Sequence, residues 1–114
     1  MEFDNIYKDL RKIQLMEEKT RLLTKINQNY YSDIISFQRD NDAIPIKEIQ
    51  NLKNIALKIY FLRDKKIILM ALSKVRGGKP NMKHMLDIEK LLYDSTFEII
   101  IRSRKDSFYD DLED

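Results

Sequence analysis

A chain of 114 residues with a formal net charge of +2 fits one domain, burying about two thirds of its unfolded surface. It has no cysteine, so disulfides, thiolate chemistry and cysteine-based zinc sites are excluded. Two glycines and two prolines argue against a hairpin-rich β fold, and one histidine cannot build a histidine-rich metal site.

Phe3, Ile6, Tyr7, Leu10 and Ile13 step by three and four, which predicts a first helix from Glu2 to Glu18. The stretch with Leu22, Leu23 and Ile26 either continues that helix or breaks it near Thr20. Asn27 to Asn29 can cap a second helix, whose apolar face is Tyr30, Tyr31, Ile34, Ile35 and Phe37. Arg39 to Ala43 reads as a loop, and Pro45 stands where the first turn of a helix accepts proline.

The third helix should run from Pro45 to Arg76, about 46 Å at 1.5 Å per residue, with room for a kink near Asn51 to Asn54. Leu52, Ile55, Ala56, Ile59, Leu62, Ile67, Met70 and Ala71 form one apolar stripe. Leu57, Phe61, Ile68, Leu72 and Val75 widen it well past the roughly 100° of an ordinary surface helix. Arg63 lies four residues from both Ile59 and Ile67, on their face, and a guanidinium buried there needs a carboxylate.

Gly77 and Gly78 stop the helix and Pro80 prevents its resumption. Asn81 to Leu86 is a loop, and Asp87 is the expected cap of a fourth helix with Glu89 in its first turn. Ile88, Leu91, Leu92, Ser95 and Ile99 form its expected inner face, widened by Tyr93, Phe97, Ile100 and Ile101. If helices 3 and 4 are antiparallel neighbours, Arg63 falls level with Ile101. Glu98 is then its first candidate partner and Asp33 its second. The expected fold is all-α, an antiparallel bundle of about four helices with one long central helix.

The charge is uneven. Residues 106–114 (DSFYDDLED) hold five acids and no base, so removing their −5 leaves +7 on residues 1–105. Lys74, Arg76, Lys79, Lys83 and His84 form a basic patch around the glycine turn, able to touch phosphate but without interleaved aromatics. Residues 76–80 (RGGKP) invite a phosphate-loop reading. That loop needs Gly five residues before the second glycine and Ser or Thr after the lysine, where this chain has Ser73 and Pro80. No convergent nucleophile, base or metal set is visible, so no enzyme activity, cofactor or metal is expected. The longest apolar run is short of the roughly 18 residues of a membrane span, and MEFDNIYKDL is no signal peptide. An intracellular, soluble protein without a membrane partner is the expectation.

Arg63, Lys66, Ile67 and Ala71 make the pattern R-x-x-K-I followed by apolar residues. Upstream lies LLTKINQNYYSDIISF, with Leu23, Ile26, Tyr30, Tyr31, Asp33 and Ile34. Downstream lies MLDIEKLLYDSTFEIIIRSR. In this order the three segments resemble the helical domain of archaeal GINS replication-complex subunits, of the kind whose helical domain comes first. The resemblance covers about residues 1–105, and 106–114 would then be an acidic linker towards the small β domain that family members usually carry. It implies a non-enzymatic, cytoplasmic and nucleoid-associated scaffold bridging the MCM helicase to a RecJ-like partner, with contacts to polymerase or primase, while the +7 charge of residues 1–105 leads to an expectation of weak DNA binding. It also implies association with other GINS subunits, as a homo-oligomer that is at least a dimer here and a tetramer at full length. The wide apolar surface places that interface at Phe61, Ile68, Leu72, Phe97 and Ile101. The alternative reading is a basic helical nucleic-acid-binding module contacting phosphate through Lys74, Arg76, Lys79 and Lys83.

Overall fold

A computed structural model describes residues 3–40 and 44–104, and it is all-α among them. Four helices follow in order: α1 (Phe3–Lys19), α2 (Tyr30–Asp40), α3 (Ile46–Val75) and α4 (Asp87–Arg104). Glu2, residues 41–43, Lys105 and the acidic stretch 106–114 lie outside the described residues, as do the side chains of Phe3 and Tyr31.

The helix boundaries follow local chemistry. α1 stops at Lys19, so residues 20–29 are a non-helical linker. Before α2 the Asn27 Oδ1 accepts from the Asn29 amide at 2.8 Å, and the Asn29 carbonyl accepts from the Asp33 amide at 2.8 Å. This side-chain turn starts the helix as asparagines commonly do. Pro45 caps α3 rather than entering it, and its carbonyl accepts from the amides of Glu48 and Ile49. α3 is then unbroken for 30 residues, through Asn51 to Asn54.

It ends in a Schellman motif. The Gly78 amide donates to the Ser73 carbonyl at 2.8 Å and the Gly77 amide to that of Lys74 at 3.0 Å. Gly77 has φ +88°, a conformation that glycine adopts at no steric cost. At Gly78 an added Cβ would stand 2.9 Å from the Ser73 carbonyl oxygen.

The cap of α4 is Leu86, one residue before the expected Asp87. Its carbonyl accepts the first helical bond from Lys90, at 2.9 Å, and its amide donates to Glu89 Oε1 at 2.9 Å. Glu89 thus closes half of a capping box, three residues into the helix.

α3 is the spine of the bundle, and two apolar clusters form along it. Leu52, Ala56 and Ile59 pack with Leu10 of α1 and with Tyr30 and Ile34 of α2. Ile67, Met70 and Ala71 pack with Leu23 of the linker and Tyr93 of α4, bordered by Met82, Met85, Leu92 and Phe97.

The pairing corrects the expected direction of α4. Arg63 meets Glu89, and eleven residues on, the Lys74 ammonium lies 4.5 Å from the Phe97 ring centre. Both numbers rise together, so α4 runs alongside α3 in the same sense. The loop 77–86 returns along α3 to its middle before α4 begins. By the same test α1 also runs with α3, since Leu10 shares the first cluster while Glu17 reaches Arg63.

Candidate functional site

The polar centre of the molecule lies between the two clusters. Arg63 is 0% exposed, and five acceptors converge on its five N–H donors. Nε donates to Glu89 Oε2 and Nη2 to Glu89 Oε1, both at 2.7 Å, a bidentate grip. Nη1 donates to Glu17 Oε2 and to the Thr24 carbonyl, both at 2.7 Å. Nη2 also donates to the His84 carbonyl at 2.9 Å. Lys66, one turn along α3, donates to Glu17 Oε1 and to the Leu22 carbonyl at 2.9 Å. The Thr24 amide completes the set by donating to Glu17 Oε2.

Each element presents its group for a local reason. Glu17 is in the last turn of α1, on the face of Leu10 and Gln14. Glu89 stands in the first turn of α4, where the helix dipole favours a carboxylate. His84 takes φ +68° and holds its carbonyl at Arg63. Burial alone would pull the Arg63 guanidinium down, but Glu89 and then Glu17 outweigh it and hold the group above its ordinary value. Burial, and then the neighbouring Glu89 charge, push the Asp64 carboxyl up, with Arg63 acting against both.

The expected burial of Arg63 is what the structure has, but its partners are Glu17 and Glu89. Glu98 and Asp33 are exposed. The antiparallel register would have brought Glu98 alongside, whereas α4 starts level with Arg63 and so offers its first turn. His84, counted in the basic patch, is half-buried and bonded to Arg63 through its carbonyl.

The inner face of α4 is also rotated. Glu89, Tyr93, Phe97 and Ile100 lie on or near the buried side, while Ile88, Leu91, Ser95 and Ile99 are exposed. Of the expected interface residues, Phe61, Ile68 and Ile101 are exposed, Phe61 at 74%. Leu72 and Phe97 are half-buried, and Phe97 packs on the second cluster under the Lys74 ammonium. Lys74 lies over the Phe97 and Tyr93 rings, and it is exposed, as are Arg76, Lys79 and Lys83.

Beside the first cluster an open groove of about 740 Å³ runs between α1 and α2, walled by Ile6, Leu10, Ile13, Ile34, Phe37 and Leu52. Among the described residues there is no group of three or more metal-ligating side chains, and no helix long and apolar enough to cross a membrane. No protein-family profile, curated protein or solved structure matches this chain.

Proposed function

We propose that this chain is a non-enzymatic helical scaffold, the helical domain of a GINS-type subunit that links the MCM helicase to a RecJ-like protein during DNA replication. The observation that carries the reading is the use of its charged residues. The convergent cluster of acids and bases at Arg63 is saturated by bonds within the chain. A general acid or base must have a proton to exchange with a substrate, and this cluster is closed to one.

The sequence pattern that resembles GINS subunits supports the same reading. Its Arg63 and Lys66 supply the buried ion network, while Ile67 and Ala71 are fully buried in the second cluster. Large apolar side chains stand exposed on α3 and α4, with Phe61 at 74%, Leu91 at 67% and Ile99 at 65%. Contiguous exposed apolar surface marks an interface on many proteins. Phe61, Ile68 and Ile101, with the edges of Leu72 and Phe97, are the surface proposed for a second copy.

Light scattering on a chromatography column, with and without the MCM helicase and RecJ-like protein of the same source, tests the reading. The expected result is a dimer or larger that co-elutes with both. A 13.7 kDa monomer at tens of micromolar that captures neither would overturn it.

A further inference from the structure

Two stretches of this chain carry bases and no acid. Residues 19–32 hold Lys19, Arg21 and Lys25, and residues 65–86 hold Lys65, Lys66, Lys74, Arg76, Lys79 and Lys83. They are far apart in sequence, yet the Arg63 network fastens them together. One guanidinium takes the Thr24 carbonyl from the first stretch and the His84 carbonyl from the second. Lys66 takes the Leu22 carbonyl, and Gln28 Oε1 accepts from the Asp87 amide. Lys25 and Lys83 are each next in sequence to a residue bonded to the same guanidinium, so they leave from adjoining backbone.

Two of the carboxylates closest to this junction are withdrawn from its surface, while Asp87 remains exposed there. Glu17 and Glu89 are buried against Arg63, with Lys66 also on Glu17. Arg21, Lys25, Lys79 and Lys83 are all exposed, with Asp87 as the acid that follows the loop. Lys74 is engaged with Phe97 and Tyr93 and is not counted.

We infer that the linker 20–29 and the loop 76–86 form one binding surface for the phosphate backbone of a nucleic-acid duplex, contacted by Arg21, Lys25, Lys79 and Lys83. The partner is a duplex because neither loop contains a Phe, Tyr or Trp on which an unpaired base could stack, and the one imidazole, His84, is half-buried. No helix of the surface is free to enter a groove, so the contacts position the protein without reading sequence. The surface extends the glycine-turn patch to a second loop, and it stands whether or not the scaffold reading holds.

Fluorescence anisotropy of a labelled DNA duplex of mixed sequence, at about 50 and 200 mM salt, tests it. Four phosphate contacts release enough counterion to weaken binding on the order of 100-fold across that range. Lys25→Gln and Lys83→Gln should each lower the slope of log K against log salt by about one unit. Lys53→Gln, on the half of α3 away from both loops, should leave the slope unchanged. The inference is overturned if Lys25→Gln leaves the slope intact or Lys53→Gln lowers it equally. It also fails if a single strand or anionic vesicles compete better than the duplex.

Discussion

The two long faces of α3 carry similar amounts of apolar surface and meet opposite fates. Leu52, Ala56, Ile59, Arg63, Ile67 and Met70 are all buried, while Leu57, Phe61, Ile68 and Leu69 are exposed. Charge does not tell the two apart, since the first has Arg63 at its centre and the second has Asp64 and Lys65 between Phe61 and Ile68. The inward face is fixed by bonding instead. Five acceptors from α1, the linker, the loop and α4 converge on one side of Arg63, and the apolar neighbours on that side are covered as a consequence. The lesson is that a wide apolar helix is oriented by its most demanding polar residue, and the remaining apolar face is left exposed.

The largest expected effect comes from breaking the inward face. Arg63→Ala strands two buried carboxylates and removes a donor to two loop carbonyls, and should cost about 3–5 kcal/mol in a denaturant titration. Near-wild-type stability would show that the network is incidental to the burial around it. Lys66→Met keeps the stem packed but takes one donor from Glu17, leaving the Arg63 bonds in place. Its expected cost is about 1.5–3 kcal/mol, the range for hydrogen bonds to charged groups.

The outward face should respond in the reverse way. Phe61→Ser removes an exposed ring, so stability measured on the dissociated chain should change by less than about 0.5 kcal/mol. Self-association measured by light scattering should nevertheless weaken. A destabilised chain with unchanged association would place Phe61 in the core and erase the distinction between the faces.

The smallest effect is expected at the seam between them. Asp64 is half-buried beside Glu89, and its carboxyl is raised above its ordinary value by burial first and by Glu89 second. A raised acid ionises at a cost to the folded state once the pH exceeds its unfolded value. Asp64→Asn should therefore raise the Tm slightly near neutral pH. The gain should fade as the pH falls through the ordinary carboxylate range, where Asp64 is protonated in both states. A gain that grew on acidification would contradict this assignment.

Much of the fold was legible in the sequence because local signals agree. Three-and-four spacing located the four helices, Asn27 to Asn29 and Pro45 marked starts, and Gly77 and Gly78 marked the stop. The burial of Arg63 was legible too, from its place between Ile59 and Ile67. Its partners were not, because they depend on how far the loop 77–86 travels before α4 begins. A short reversal puts Glu98 beside Arg63, whereas the loop's return along the spine puts Glu89 there. That choice also turns α4 about its axis, hiding Tyr93 and exposing Leu91 and Ile99. No capping-box signature pointed to Glu89 either, since Leu86 at the cap has no side-chain acceptor and only the reach of Glu89 back to its amide makes the half box. The joining of the two acid-free loops was equally out of reach, being made by carbonyls of Thr24 and His84 that no side-chain pattern records.

The central claim is that the Arg63 network joins the two apolar clusters into one cooperative unit, and amide hydrogen exchange tests it directly. In the wild-type chain, the slowest amides of α1 and α4 should exchange with the same free energy of opening. In Glu89→Gln, which weakens the bond on the α4 side alone, protection should fall in α4 and in α1 by equal amounts. Protection lost from α4 while α1 keeps its wild-type value would show two independently stable halves and contradict the claim.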